Sequence, residues 1–245
     1  MEEAGGLRAF FEDSIQPESI CSGCKAQGTG FRLEESDSCH FSREHWDPVI
    51  IGKRFFVTPS WYRGDVADGC LHLPIETTSA FGTGRHESTQ LMLEALETHL
   101  SAGDSVLDVG CGSGILSAAA GLLGATAIYS CDIVQQAVSA ARRQIRTPIF
   151  AGSADAVRSG FADIVLANIS AAVVDHIAPD LRRVAKPRGI VIIAGFVSDK
   201  VPQCYKPEKI MERAGWLCWI CRPEGINRNT NDETDPNFHT ERWWL

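Results

Sequence analysis

No stretch of this 245-residue chain carries an apolar run long enough to cross a bilayer. Its beginning, with Glu2 and Glu3, lacks the basic-then-apolar pattern of a secretory signal. Positive charge is in short supply: 23 Lys and Arg stand against 31 Asp and Glu, a formal net charge of −8. Such a surface repels phosphate backbones, so no direct nucleic-acid binding is expected, and a basic protein is the better-matched partner. Internal repeats and low-complexity tracts are absent as well. These absences leave a cytoplasmic globular protein with no membrane partner. Its apolar fraction of 44% and its length suit one sizeable core plus a small appendage.

Cysteine is not scarce, but its pattern excludes a disulfide framework. There are nine, an odd number, in a chain without a secretory signal, so reduced thiols are expected. Cys111 and Cys131 fall in apolar runs and read as small core residues. A zinc knuckle from Cys21, Cys24, Cys39 and His40 is conceivable, yet the adjacency of Cys39 and His40 is unusual for one, and no metal site is assigned. Cys218 and Cys221 lie in a strand-like run, where residues three apart point to opposite faces and do not ligate together.

What the chain does have is Val-Leu-Asp-Val-Gly-Cys-Gly-Ser-Gly at 106–114, with Asp132 eighteen positions after Gly114. The order is strand, tight turn, helix, strand, acid. It forms the first half of a nucleotide-binding sheet, whose glycines let backbone approach a ligand and whose acid accepts ribose hydroxyls. A dinucleotide turn favours G-x-G-x-x-G, but position 115 is Ile and the third glycine comes one residue early. That spacing weighs against a nicotinamide oxidoreductase. Gly110, Gly112 and Gly114 resemble motif I of the class I methyltransferases that use S-adenosylmethionine, a ligand with no phosphate.

Around this motif the periodicity predicts alternating elements. Residues 46–62 read as one or two strands with a turn near Gly52-Lys53, and Leu71–Ile75 as a short strand. A helix is predicted over Glu87–Leu100. Strands follow at 105–110, 127–132, 147–151, 162–168 and 189–195, with helices at 114–123, 134–145, 171–185 and about 202–214. Lys186-Pro187-Arg188-Gly189 reads as a helix stop and turn. Residues 216–221 and 239–245 read as a closing pair of strands, with an exposed loop from Arg222 to Phe238 between them. The expectation is an α/β, Rossmann-like class I methyltransferase fold: a mostly parallel seven-stranded sheet with helices on both faces. Residues 1–45 form a short appendage, 46–80 lead in, and 81–245 form the methyltransferase domain. A ligand belongs at the carboxyl ends of the strands, where Asp108 to Gly114, Asp132, Ser153 to Asp155 and Asn168 all fall.

Each candidate has a functional and a structural reading. Asn168 ends an apolar strand in an amide that can accept an N–H and aim an amine lone pair, or it caps the helix starting near Ala171. Asp132 binds ribose hydroxyls or caps a helix. Asp108 reads as a structural turn acid. Thr83, His86 and Thr89 surround a Gly-Thr-Gly loop that could equally cradle an anion; His86 reads as structural before it reads as a base. The chemistry implied is displacement at a sulfonium-bound methyl group by an amine. Lysine's free pKa of about 10.4 makes deprotonation costly, and a desolvated, cation-bearing pocket relieves that cost.

Ala80-Phe81-Gly82-Thr83-Gly84-Arg85-His86-Glu87-Ser88-Thr89, taken with Val106–Gly114, Asp132 and Ala167-Asn168-Ile169, resembles the PrmA family, the methyltransferases of ribosomal large-subunit protein eleven. The likeness covers about residues 46–245. It implies S-adenosylmethionine as cofactor, held by Thr89, Gly110, Asp132 and Asn168, with Gly112, Gly114, Phe81, Thr83 and Ala154 beside them. It also implies a protein substrate, a basic ribosomal protein methylated on lysine side chains and its terminal amine; the catalytic role of Asn168 rests on its place at the strand end. Two other readings stay open: the same fold methylating a small molecule or peptide, and a catalytically silent interaction module.

Overall fold

The apolar run before the glycines forms the middle of a sheet, where a strand is buried on both faces. The computed structural model describes residues 47–76 and 84–226. These belong to the unit Asp47–Leu245, one of two into which the chain divides. Among the described residues three short strands come first: β1 (Val49–Ile51), β2 (Phe55–Pro59) and β3 (Leu71–Ile75), a small sheet in that order. β1 pairs antiparallel with β2 across the expected turn, and β2 runs parallel to β3. Helix α1 (Glu87–His99) follows, then β4 (Ser105–Val109), α2 (Ile115–Leu122), β5 (Ala127–Asp132), α3 (Gln135–Gln144), β6 (Ile149–Ala151), β7 (Ala162–Asn168), α4 (Ala171–Val184), β8 (Ala185–Val197), β9 (Tyr205–Arg213) and β10 (Trp216–Ile226).

β4 to β10 make a seven-stranded sheet in the order β6-β5-β4-β7-β8-β10-β9. β4 through β8 are parallel; β10 runs antiparallel to both β8 and β9. The order reverses on either side of β4, so the crevice between the tips of β5, β4 and β7 is the topological switch point. One sheet face packs Leu107, Val109, Val165, Val191, Ile193 and Trp219 against Val174, Ala178 and Leu181 of α4. On the opposite face α1 lies along β8 and β10, and Met92 meets Cys218 sulfur to sulfur at 3.8 Å.

The helix expected at 202–214 is a strand. Pro207 has no N–H and would break a helix interior. A two-residue turn, Ala214-Gly215, instead folds Tyr205–Arg213 back along β10 as the edge of the sheet. This strand supplies the seventh place in the sheet; the strand expected at 239–245 lies outside the described residues. The loop expected from Arg222 begins later, because β10 continues to Ile226. Residues 198–204 take the chain from β8 back to β9 without the helix that parallel crossovers usually contain. They are fastened by Asp175 Oδ1, which accepts from the backbone of Gln203 and Cys204, and by Arg182, which donates to the Cys204 carbonyl. The stop before Lys186 is real, since α4 ends at Val184. The segment behind it is an irregularity within β8, whose register with β7 shifts between the Ala162↔Ala185 and Ile164↔Ile190 pairs.

Candidate active site

The glycine turn is stitched to the tip of the neighbouring strand. Gly110 and Cys111 both donate their N–H to the Cys131 carbonyl, at 2.8 and 3.1 Å. Gly112 N–H donates to Asp132 Oδ2 at 3.0 Å. Gly110, Gly112 and Gly114 all have positive φ, at 70°, 54° and 81°, where a side chain is strained. The turn therefore needs glycine for its own path, and a ligand need not be invoked for that.

Asp132 sits at the end of β5, largely buried. Each carboxylate oxygen takes one backbone N–H: Oδ2 from Gly112, and Oδ1 from Val134 at 2.9 Å. No Lys or Arg pairs with it among the described residues. A carboxylate accepts about four hydrogen bonds, so lone pairs remain for two hydroxyl donors. These free acceptor positions fit a vicinal diol and would repel a pyrophosphate. The structural reading of Asp132 holds in part too, since Val134, the N-cap of α3, has no side-chain cap of its own. Next to it, Ile133 and Val134 are 50% and 49% exposed. Two large apolar side chains in water at a strand tip give a flat ligand something to lie on. The sequence signal for them, apolar residues directly after the acid, was there to be read.

Asn168 ends β7 on the other side of β4. Its Nδ2 donates to Thr89 Oγ at 3.3 Å, across 79 residues of sequence. The N-cap of α4 is Ser170, so Asn168 is not a helix cap. With the amide nitrogen turned to Thr89, the amide oxygen is left to accept. Ile169, the next residue, is gripped from two sides. A Cβ on Gly110 would come within 2.7 Å of its Cγ2, and a Cβ on Gly195 (φ 98°) within 2.6 Å of its carbonyl oxygen. Gly195, at the tip of β8, was not singled out from sequence; a glycine closing an apolar strand was the available signal. Gly195→Ala is expected to destabilise the fold by about 2–4 kcal/mol through strain and backbone displacement, read as a drop in denaturation midpoint, and to cut turnover by moving Asn168.

His86 is the N-cap of α1. Its Nδ1 accepts from Ser88 N–H at 3.3 Å and lies 2.8 Å from Ser88 Oγ, which matches the structural reading. Ala154 opens a short 3-10 turn, is fully buried in the apolar cluster with Leu107 and Cys131, and gives its carbonyl to Arg183 at 2.9 Å. Phe81 and Thr83 lie outside the described residues, as do Cys21, Cys24, Cys39 and His40. Among the described residues no His, Cys, Asp and Glu cluster could hold a metal ion, and no helix is long and apolar enough to cross a membrane. The described cysteines are free thiols, and Cys111 and Cys131 are buried as expected. Burial, with Asp108 and Asp132 close by, pushes both thiols up, Cys131 to about 12.

Asp108 lies beneath the turn, 1% exposed. Ser117 donates to its Oδ2 at 2.6 Å and Ser130 adjoins Ser117 at 2.7 Å, while Oδ1 has no partner. Burial raises its pKa to about 6 against the bonds from Ser117, and nearby Asp132 adds to the rise. The folded chain thus binds this proton more tightly than the unfolded chain does, so stability falls as pH rises from about 4 to about 6. Between pH 4 and pH 8 the stability difference between Asp108→Asn and the parent chain is expected to move toward the variant by about 2–3 kcal/mol, measured by denaturant melts at the two pH values.

A sequence model of the family described as ribosomal protein L11 methyltransferase (PrmA) matches residues 13–224. The chain belongs to this family. The PrmA match begins well before residue 46, so it reaches into the segment read from sequence as an appendage, and it stops before the last residues. A ribosomal protein L11 methyltransferase of Paraburkholderia xenovorans is 38% identical over 197 residues, covering 76% of this chain and 65% of the relative. One of Caldanaerobacter subterraneus is 34% identical over 188 residues, covering 74% and 59%. The chain thus spans less than two thirds of the length of these curated relatives. Among solved structures, a ribosomal protein L11 methylase of Lactobacillus delbrueckii subsp. bulgaricus superposes with a TM-score of 0.66 at 25% identity, over 71% of this chain and 98% of that one. The PrmA assignment and this superposition agree with the observed sheet: it is the Rossmann-like methyltransferase fold.

Proposed function

We propose that this chain is an S-adenosylmethionine-dependent N-methyltransferase acting on amines of a ribosomal protein, with L11 as the acceptor that its relatives' names point to. The observation that carries this reading is the pair of groups at the switch point: a diol-accepting carboxylate on β5 and an oriented amide on β7, either side of the glycine turn. When bound, S-adenosylmethionine supplies a methyl group on a positively charged sulfur.

The chain's own residues do the rest. Asp132 accepts from the ribose hydroxyls, and its two backbone bonds keep it from swinging away. Gly110, Gly112 and Gly114, with no side chains in the way, would let the turn backbone approach the cofactor closely. Ile133 and Val134 form the apolar shelf for the base. Thr89 holds the Asn168 amide so that its oxygen accepts an acceptor N–H and points the nitrogen lone pair into the cleft. That is orientation, worth several kcal/mol when the reacting atoms are brought to near-attack distance. Phe81, Thr83 and Ala154 are further cofactor-contact candidates, by resemblance to the family alone. The acceptor amine gives its proton to solvent before transfer, favoured by burial beside positive charge; His86 Nδ1 is already engaged by Ser88 and needs no part in it. The net charge of −8 supports a basic ribosomal protein as substrate, and with it the reading of a cytoplasmic enzyme without direct nucleic-acid contacts.

The test is incubation with S-adenosylmethionine and purified ribosomal protein L11 from Paraburkholderia xenovorans, with intact-mass readout. Mass increments on lysines or the terminal amine are expected. Cofactor binding without any labelled protein would shift the assignment to a small acceptor, and no cofactor binding would leave an interaction module.

A further inference from the structure

The rim of the sheet has a second occupied corner, on the β9–β10 hairpin. Arg213 and Trp216 pair across a two-residue turn whose central residues, Ala214 and Gly215, are both left-handed at φ 49° and 83°. Two positive φ values are what a two-residue hairpin with native twist demands. Ala214 is the single non-glycine residue with positive φ among those described. An alanine there costs on the order of 1–2 kcal/mol, and strain of this kind marks a place where position matters.

The hairpin is fixed to α1 on both sides of the turn. Arg213 donates to Gln90 Oε1 at 2.6 Å and Glu94 Oε1 at 2.8 Å. Trp216 meets the His86 ring edge-to-face, with centroids 4.4 Å apart and planes at 71°. His86 and Thr89 are one turn apart at the start of α1, and Thr89 holds Asn168. Asn168 and Trp216 therefore hang from the same helix end. In the sheet, Asn168 is level with Ala194 and Cys218, and Trp216 extends beyond Cys218 beside Val197, the last residue of β8. Two strand spacings separate their Cα atoms laterally, about 10 Å. Trp216 and Cys218 share the face that carries α1, and the indole is only half-buried. The half-buried indole thus stands at the carboxyl rim of the sheet, two strand spacings across from the amide and on the same face.

We propose that Trp216, braced by His86, is the acceptor-side wall of the cleft and receives the alkyl-ammonium end of an amine-bearing side chain. The assignment rests on the methyl-transfer reading of Asn168 given above. The chemistry follows from two groups that stand on one face of the sheet at the same rim. Asn168 accepts an N–H of the acceptor, and attack on the methyl group requires the neutral amine, which alone has a lone pair. Trp216 favours a cation over its ring, so it holds the protonated amine on arrival and the bulkier, less hydrated methylammonium after each round. Each transfer forms one N–C bond on the acceptor, breaks one C–S bond of the donor and releases one proton to solvent. An aromatic wall that retains the methylated product between rounds drives the acceptor toward higher methylation.

Trp216→Phe and Trp216→Leu separate the aromatic surface from mere apolar bulk. With L11 as acceptor and saturating S-adenosylmethionine, the leucine variant is expected to raise KM for L11 about tenfold and to accumulate monomethylated product. The phenylalanine variant is expected to stay within about threefold of the parent, and affinity for S-adenosylhomocysteine to be unchanged in both. Calorimetric titration with a trimethyl-lysine peptide, in the presence of S-adenosylhomocysteine, reads the same wall without turnover. Equal KM and equal peptide affinity in the leucine variant, with transfer intact, would overturn the assignment. So would an equal loss in both variants accompanied by a lowered melting temperature, which is the signature of a packing wedge. Peptide affinity that falls in the leucine variant alone, in a protein that moves no methyl onto L11, would retain Trp216 as an ammonium site while removing the methyl-transfer reading. A parent chain that neither binds the peptide nor methylates L11 overturns both.

Discussion

Asp132→Ala is expected to weaken S-adenosylmethionine binding by a hundredfold or more. Hydrogen bonds to a buried charge contribute about 1.5–3 kcal/mol each. A ribose diol makes two, about 3–6 kcal/mol together, so roughly a hundred- to ten-thousandfold follows. The alanine also strips the partners from the N–H groups of Gly112 and Val134, which loosens the glycine turn and the start of α3 together. Asp132→Asn should fall between, because its single acceptor oxygen can keep only one of the two backbone bonds. Calorimetry with S-adenosylmethionine measures both. An alanine variant that binds as the parent does would reduce Asp132 to a turn acid and take the cofactor assignment with it.

Asn168→Ala is expected to lower kcat by about a hundredfold while cofactor affinity stays within a few fold. Positioned polar groups at a reacting centre are worth about 2.7–4 kcal/mol of barrier. Affinity should hold because Asn168 is tied to the site only by the long bond to Thr89. Folding should hold as well, since the residue is half-exposed and Ser170, not Asn168, is the N-cap of α4. Single-turnover methyl transfer with the cofactor pre-bound isolates the effect. Unchanged single-turnover rates would show that orientation of the amine comes from elsewhere.

The two variants probe groups of different legibility. Asp132 could be read because its whole environment is local: a strand, a turn and a strand within about thirty residues, with the acid at a fixed place in the pattern. Asn168 could be located, but its role could not be decided, because the alternative as a helix cap depends on where the next helix starts. A shift of two residues, with Ser170 as the N-cap, removes that alternative. The bond to Thr89 was out of reach, since nothing local says that the start of α1 comes to the tip of β7.

The misread helix at 202–214 has the same origin. Charged and apolar residues alternate there loosely enough to suit either period, and Pro207 was the one local warning. The deciding term is pairing with β10 through a two-residue turn, which no window along the chain contains. Trp216 is legible from the sequence only as the start of a strand, because an indole's exposure depends on what its strand leaves uncovered.

By itself, then, the chain's order of apolar runs, glycines and acids determined the α/β fold, the switch-point crevice and the carboxylate in it, since each is encoded within one strand–turn–helix unit. Tertiary structure alone decided which distant side chains share that crevice: Thr89 with Asn168, His86 with Trp216, Gly195 under Ile169. The physical reason is that backbone geometry and hydrophobic period act over a few residues. Contacts between helix ends and strand tips are instead fixed by how the whole sheet twists and packs, so they are a property of the assembled layers.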